Sequence, residues 1–562
     1  MGNAPFEMIF RQGRPPAEQK YPGHGHRLGM ENGMLVERDV AVPLRDGARI
    51  YINIHRPERP DGKVPALVAW SAYGKHHPFM YEVFFRNGDV RREWCSDLAT
   101  FEGPDPSYWV PRGYAVIQVD PRGTWHSEGD ATYWGHDEGR DGHDLIEWLG
   151  VQDWCNGKVG MSGVSYLAII QWQVAATRPP HLAAINPWEG LSDMYREFAY
   201  HGGIPESFFA PIWHKTVSYA MNRVEDVPAM MKEHPLFDDY WASKVADFAK
   251  IDVPAYVVAS WADQGLHTRG TLEGFRRIAS QHKWLDIHGR KKWENYYQPE
   301  SVERQRAFFD HFLKGIDTDV HAWPKVRLEV RERYYVGTSR DETAWPLART
   351  RATPLYLDAR NGALSTAPIA AASRVAYDVS GDETSCPAAY RRERAQFDHV
   401  FAEDTELTGY MKLRLWVEAV GADDMDLFVA VQKFDRDGQY VPFAAFSALE
   451  DGPVALGWLR ASHRELDTAQ STPQQPRLLH RRLLKLQQGV PVPVEIEIWP
   501  SGTRFAAGET LRLVVQGSDI YRYGPWIMTA RHAKTLNAGQ HVIHAGGEYD
   551  SHLLVPVIPR DG

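Results

Sequence analysis

A serine stands where a short apolar segment meets an apolar run with helical spacing. Residues 157–172 read GKVGMSGVSYLAIIQW, and Ser165 falls between the two parts. This order predicts a strand, a sharp turn and a helix, with the hydroxyl exposed at the turn. A serine hydroxyl becomes a nucleophile only when a base lies beside it, so the pattern indicates acyl transfer through Ser165. The triplet alone is equally typical of a turn serine that caps a helix, and Leu167 replaces the last glycine of the usual G-x-S-x-G.

An acyl-transfer serine also needs a base and an orienting acid, which in this type of fold follow in the order Ser, Asp, His. Asp263 comes just after the apolar segment VPAYVVAS, and His288 comes directly after KWLDI. We predict Asp263 as the acid and His288 as the base, because both follow strands whose ends share one edge of a parallel sheet. Asp263 could instead cap a helix that begins near His267. His267 and His282 are alternative bases, but His282 precedes its strand.

Two hydrogen-bond donors are expected to stabilise the negative charge that develops on the substrate oxygen. The backbone amide of Tyr166 follows Ser165 at the start of the predicted helix. Tyr73 follows the apolar strand ALVAW, so its phenol can supply the second hydrogen bond; the alternative is a surface tyrosine. Tyr73 and Tyr166 are therefore predicted to form the oxyanion hole.

The elements that must position these residues alternate between strands and helices. Wholly apolar runs such as ALVAW and YAVIQV are typical of buried parallel strands, and a predicted helix at 142–150 precedes the serine turn. We predict an α/β hydrolase domain at 34–189 and 251–323, with a mostly parallel sheet and helices on both faces. Residues 1–33 are predicted to be an N-terminal arm.

Two further regions do not show this alternation of strands and helices. Residues 190–250 are rich in aromatic residues and methionine with helical spacing, which predicts a helical cap inserted over the sheet. From 324 to 562 the period changes to two, in short alternating segments separated by Gly, Asp and Pro. This predicts an all-β sandwich of jelly-roll type.

The composition limits the classes of partner. The formal net charge of −10 argues against nucleic acid and against an anionic membrane. The N-terminus lacks the apolar core of a signal peptide and no segment is long enough to span a bilayer, so we expect a cytoplasmic protein. Three distant cysteines, Cys95, Cys155 and Cys386, favour reduced buried thiols. No metal or cofactor is expected, and a homo-oligomer is compatible with these features.

Several motifs together are similar to those of one known family. They are Asp120-Pro121-Arg122-Gly123-Thr124, Trp154-Cys155-Asn156-Gly157-Lys158, the serine turn, Trp261-Ala262-Asp263 and Gly457-Trp458-Leu459-Arg460-Ala461-Ser462-His463-Arg464. The chain resembles the family of cocaine esterase, X-Pro dipeptidyl-peptidase, α-amino acid ester hydrolase and glutaryl-cephalosporin acylase over about residues 35–560. The resemblance implies an α/β-hydrolase domain with a helical cap and a C-terminal jelly roll. It also implies Ser165 as nucleophile, Asp263 as acid, and Tyr73 with the Tyr166 amide as oxyanion hole.

The sequence departs from the family pattern at the catalytic histidine. The family pattern Gly-Pro-Trp-x-His is replaced by His288-Gly289-Arg290-Lys291-Lys292-Trp293, and a rigid match puts Lys292 in the place of the base. A lysine base would need a strongly lowered pKa, so we prefer His288 in a reshaped loop.

The predicted function is hydrolysis of a small-molecule carboxylic ester, or an amide, through an acyl-enzyme on Ser165. An X-Pro peptidase or amino-ester hydrolase would need carboxylates for a free amine, for which Asp193, Glu197 and Glu206 are candidates. A non-enzymatic binding protein with an inert hydrolase domain is the alternative outside enzymes, and the altered histidine loop favours it.

Overall fold

The computed structural model describes residues 6–19, 21, 23–58, 62–76, 81–379, 393–521 and 529–560. Within them, the first part of the chain folds into a sheet covered by helices, and the part after residue 336 folds into strands around a core of its own. Cys95 and Cys155 are buried free thiols, whereas Cys386 lies outside the described residues.

A strand at Arg27–Glu31 pairs antiparallel with β1 at one edge of the first sheet. In the described residues it is followed by nine strands in the order β1-β2-β4-β3-β5-β6-β7-β8-β9. The two pairs that involve β2 are antiparallel and the other neighbours are parallel. Parallel strands covered on both faces need apolar residues throughout, as in β3, β4 and β7, which are buried along their whole length. The strands are β1 (Met34–Pro43), β2 (Arg49–Pro57), β3 (Val64–Trp70), β4 (Ala115–Asp120), β5 (Cys155–Val164), β6 (Leu182–Trp188), β7 (Ala255–Ser260), β8 (Lys283–His288) and β9 (Val326–Arg333).

Seven helices of six residues or more accompany the sheet in the described residues. The helix after the serine, α2, is buried at ten of its eleven positions, which explains its uniformly apolar sequence. The seven helices are α1 (His136–Gly150), α2 (Tyr166–Ala176), α3 (Phe209–Val217), α4 (Val227–Glu233), α5 (Thr268–Arg277), α6 (Lys292–Tyr297) and α7 (Pro299–Phe309).

The insert at 190–250 contains α3 and α4 and shares the hydrophobic core of the sheet domain through residues such as Tyr195 and Trp213. It also has short strands that the sequence did not predict, including Arg223–Glu225. That strand pairs with Phe10–Gln12, so the predicted N-terminal arm contains ordered strands, one of which is fastened to the insert.

The C-terminal part is built of strands. The strand β10 pairs with β9, which itself continues the first sheet, so that sheet extends past residue 323, where the sequence placed its end. Two further groups of paired strands surround a separate apolar core. The main strands are β10 (Val336–Glu342), β11 (Arg351–Asp358), β12 (Ala363–Ser365), β13 (Ser373–Asp378), β14 (Ala395–Val400), β15 (Thr405–Val420), β16 (Asp426–Phe434), β17 (Ala455–Arg460), β18 (Val492–Phe505), β19 (Thr510–Gln516), β20 (Gln540–Ala545) and β21 (His552–Ile558).

A search of the described helices for a bilayer-spanning segment found none of sufficient length and apolarity.

Candidate active site

Ser165 stands at the turn between β5 and α2 with a strained backbone. Its φ is +59° and its ψ is −114°, a conformation that L-residues rarely adopt. Its amide donates to the carbonyl oxygen of Trp188 at 3.0 Å, and α2 begins at the following residue, Tyr166. A Cβ at Gly163 would lie 2.5 Å from the side chain of Leu167, so glycine is required there. Leu167, which stands at the position of the motif's last glycine, thus packs against Gly163, its first glycine.

His267 is the histidine that reaches Ser165. Its Nε2 lies 3.1 Å from Ser165 Oγ, and its Nδ1 lies 3.3 Å from the carbonyl oxygen of Gly190. When Nδ1 carries the proton and donates to Gly190, Nε2 is left free to accept from the serine hydroxyl. Burial, and then the positive charge of Lys292, lowers the pKa of His267 well below its usual value. The imidazole is therefore neutral at pH 7, as a general base must be.

The backbone of Asp263 holds the turn that carries this imidazole. Its carbonyl oxygen accepts the amides of Leu266, His267 and Thr268 at 3.1 to 3.3 Å. The turn leads directly into α5, for which His267 is the residue before the first helical position. The histidine therefore projects from a rigid helix terminus.

The prediction of His288 as the neighbour of Ser165 requires correction, because the imidazole there belongs to His267. His288 is the last residue of β8, and a strand side chain projects from a face of the sheet instead of over its edge. Its Nδ1 accepts the amide of Arg290 at 3.1 Å, and its Nε2 lies 3.3 Å from Glu189 without hydrogen-bond geometry. Burial lowers its pKa to about 4.

Asp263 forms a buried ion pair with Lys292. The Nζ of Lys292 lies 3.0 Å from Asp263 Oδ2, and both side chains are almost wholly inaccessible. Burial lowers the pKa of Lys292, but the carboxylates of Asp263, Glu102 and Glu189 outweigh it, and the net shift is upward. Lys292 is consequently protonated at neutral pH and cannot act as the base in place of a histidine.

Two further carboxyl groups surround this ion pair. Burial raises the pKa of Glu189 well above its usual range, and the neighbouring Asp263 carboxylate raises it further. Burial also raises the pKa of Glu102 to about 8, although Lys292 and a 2.8 Å hydrogen bond from Trp293 oppose the shift. Burial thus favours the protonated form of both glutamates, which lie beside the ion pair of Lys292 and Asp263. Glu189 in its protonated form can donate to Asp263 Oδ1, which accepts from no other described group.

Tyr73 and the backbone amide of Tyr166 lie beside Ser165. The Ser165 hydroxyl and the Trp213 indole are hydrogen-bonding neighbours of the Tyr73 phenol, whose pKa burial raises well above its usual value. The phenol therefore keeps its proton. The Tyr166 amide is the first of α2 and has no acceptor within the helix, while the Tyr166 hydroxyl donates elsewhere, to Glu138 at 2.8 Å.

Aromatic side chains enclose the serine on the side of the insert. Trp213 of α3 stacks on Trp134 with ring centroids 4.1 Å apart and lies 6.3 Å from Tyr166. Phe198 and Phe101 extend this wall, the latter at 5.0 Å from Tyr73. The two tyrosines beside Ser165 are therefore packed against aromatic rings.

The carboxylates considered for binding a free amine are engaged within the protein. Asp193 pairs with Arg196 at 2.5 Å, and Glu197 pairs with Arg269 at 2.6 Å. Glu206 accepts the first amides of α3 at 2.7 to 2.8 Å. No cluster of three or more potential metal ligands occurs among the residues that the structure describes.

Comparison with known proteins gives matches along most of the chain. Residues 46–225 match the X-Pro dipeptidyl-peptidase (S15 family), and residues 318–554 match the X-Pro dipeptidyl-peptidase C-terminal non-catalytic domain. A CocE/NonD family hydrolase from Staphylococcus aureus is 41% identical, covers 99% of both chains and superposes with a TM-score of 0.90.

More distant relatives match over similar lengths. Cocaine esterase from Rhodococcus sp. (strain MB1 Bresler) is 26% identical over 94% of this chain and 100% of its own. An α-amino acid ester hydrolase, 16% identical with a TM-score of 0.68 over 94% of this chain and 97% of its own, shares the fold. These matches define a hydrolase with a C-terminal non-catalytic domain. The chain belongs to the CocE/NonD hydrolases, a family of serine hydrolases, which agrees with the family resemblance in its motifs.

Proposed function

We propose that this protein is an α/β hydrolase, with an inserted helical cap and a C-terminal jelly roll, that cleaves carboxylic esters through an acyl-enzyme on Ser165. The observation that carries the proposal is the 3.1 Å contact between His267 Nε2 and Ser165 Oγ at a strained strand–helix turn. The strand order, with a parallel centre, antiparallel strands toward both edges and a serine after β5, supports the fold assignment.

In the first half of the reaction, His267 Nε2 takes the proton as Ser165 Oγ attacks the ester carbonyl. The Tyr73 hydroxyl and the Tyr166 amide donate to the oxyanion of the tetrahedral intermediate. The imidazolium then returns its proton to the leaving alcohol, and the acyl-enzyme remains. Water, activated by the same Nε2, attacks the acyl group and releases the acid.

The orienting acid of the usual triad is replaced in this proposal by a backbone carbonyl. Gly190 O accepts from His267 Nδ1 and also, at 3.1 Å, from the hydroxyl of Thr271 one turn into α5. This acceptor fixes the tautomer of His267. Asp263 contributes through its backbone, while its carboxylate is neutralised by Lys292.

The proposed substrate class rests on the aromatic residues packed near Ser165. Trp213, Trp134 and Phe198 favour an apolar or aromatic acyl group. A substrate with a free amine would need an unpaired carboxylate, and the three candidates in the insert have partners. The esterase is thus favoured over the X-Pro peptidase and the amino-ester hydrolase.

Covalent labelling tests the proposal directly. A fluorophosphonate probe is expected to modify the folded protein once, at Ser165, because His267 makes that hydroxyl nucleophilic. Peptide mass spectrometry before and after heat denaturation gives the measurement. A native protein that takes no label, as an inert hydrolase domain would, contradicts the proposal.

Removing the charge of Lys292 is expected to move the acid limb of the pH profile. In Lys292→Met the cation that depresses the pKa of His267 is gone, so that pKa rises and the imidazole protonates at higher pH. The acid limb of kcat/KM should therefore shift to higher pH. The single variant also leaves Asp263 unpaired, which costs about 3–5 kcal/mol of stability.

The double variant Lys292→Met with Asp263→Asn removes both charges and serves as the control. We expect it to be more stable than the single variant and to show the same direction of shift. A pH profile identical to the native one in both variants would contradict the electrostatic role of Lys292. If Lys292 were the base, both variants would lose activity at every pH.

A further inference from the structure

A pocket rich in arginine lies where the insert, α5 and the C-terminal strands meet. Arg196 comes from the insert, Arg269 from the first turn of α5, and Arg477 from the C-terminal part, with Trp458 and Trp499 beside them. Its cavity volume is small, about 30 Å³. We call it the arginine pocket. The proposed reaction uses none of these side chains.

The three guanidinium groups differ in how completely they are paired. Arg269 is bound by two carboxylates, Glu197 at 2.6 Å and Glu497 at 2.9 Å. Arg196 is 9% exposed and bonds Asp193 and the carbonyl of Leu478, but its buried Nε has no hydrogen-bond partner in the described residues. Arg477 forms no side-chain hydrogen bond or ion pair with any residue that the structure describes.

Glu497 also lines the pocket, and the carboxylates of Asp193, Glu197 and Glu497 neutralise Arg196 and Arg269, so Arg477 is the guanidinium group here without a carboxylate in contact among the described residues. Burial, together with the charges of Arg196 and Arg269, lowers the pKa of Arg477. His480, which also lines the pocket, has its pKa lowered well below the usual value by burial and by the same arginines. Partly buried guanidinium groups that lack counter-charges are costly unless an anion neutralises them.

We propose that the arginine pocket binds a small carboxylate or phosphate anion. Arg477 supplies charged donors that no described residue uses, while Arg196, whose Nε is buried without a partner, adds positive charge beside it. Trp458 and Trp499 form the apolar wall, with ring centroids 5.5 Å apart at 71°, and this packed corner limits the size of the ligand. The backbone of the insert closes the opposite side, since Gly202 accepts the amide of Arg460 at 2.9 Å.

Calorimetric titration of the full-length protein tests the site without reference to hydrolysis. Sodium phosphate and sodium acetate are titrated separately at pH 7, with sodium chloride keeping the ionic strength constant. We expect saturable binding of one anion per chain. Arg477→Gln should weaken that binding at least about tenfold, since a charged donor is lost.

The control is Arg481→Gln, which removes an exposed arginine from the same segment and should leave the affinity unchanged. Crystals soaked in sodium selenate provide a second measurement, and an anomalous selenium peak is expected beside Arg477. Binding of phosphate alone identifies a phosphate site, and binding of acetate as well identifies a general carboxylate site. The proposal is overturned if neither anion binds saturably, if Arg477→Gln binds like the native protein, or if selenium lies elsewhere.

Discussion

Ser165→Ala is expected to lower kcat for p-nitrophenyl acetate by on the order of 10⁵-fold or more, because no acyl-enzyme can form. The residual rate would come from the oxyanion donors and from binding alone. The fold should be unaffected: alanine keeps the Cβ of serine, so it adds nothing to the strain already present at φ +59°. Initial rates of the purified variant give the measurement, with thermal unfolding as the check on folding.

A neighbouring serine provides the matched control. Ser162 is buried in β5, the strand that leads to Ser165, and its hydroxyl donates to Asn186 at 3.2 Å. His267 is not among its hydrogen-bond partners in the described residues. Ser162→Ala should keep kcat within about tenfold, while losing some stability through the broken hydrogen bond. Activity of Ser165→Ala within tenfold of the native rate would refute Ser165 as the nucleophile.

The sequence located the serine turn and the strands around it because their signals are local. Apolar runs such as β3, β4 and β7 have no other stable place than the middle of a covered parallel sheet. Tyr73 and Asp263 follow two of these strands in the chain, as Ser165 follows β5. Their roles in the reaction stay predictions.

The histidine depends on geometry that the sequence expresses only weakly. Chain order favoured His288, but as the last residue of β8 it projects from the face of the sheet, toward Glu189. His267 lies in the turn after Asp263, where a side chain can reach over the edge. The signal available in the sequence was Lys292: a lysine in the family's histidine position leaves the imidazole to come from elsewhere, and His267 was among the alternatives.

The buried charges around the site could not be predicted from residue types. Glu102, Glu189, Asp263 and Lys292 lie in separate segments of the chain, and nothing in the sequence indicates that they share one buried cluster. Only the fold brings the three carboxyl groups around one ammonium group and excludes water from them. Their protonation states follow from that burial, so the electrostatic environment of His267 is a property of the tertiary structure.

His267→Ala is expected to lower kcat about as much as loss of the serine, on the order of 10⁴- to 10⁶-fold, because nucleophile and base act as a unit. The Ser165 hydroxyl would remain in place, but the position 3.1 Å away, which His267 Nε2 occupies in the native protein, would be empty. Free imidazole can enter the space left by the side chain and accept the same proton. A rise in rate with added imidazole would therefore identify a chemical role for His267, since a residue with a purely structural role would show no such rescue.

The comparison variant is His288→Asn. The Oδ1 of asparagine can accept the amide of Arg290 as Nδ1 does now, so the loop after β8 should keep its shape. We expect kcat of His288→Asn within about tenfold of the native value, with no response to imidazole. The reverse result, a collapse of kcat in His288→Asn and near-native activity in His267→Ala, would return the base to the residue that chain order favoured. Since the ion pair with Asp263 raises the pKa of Lys292, that side chain cannot replace a missing His267, and the two histidine variants together decide which group activates Ser165.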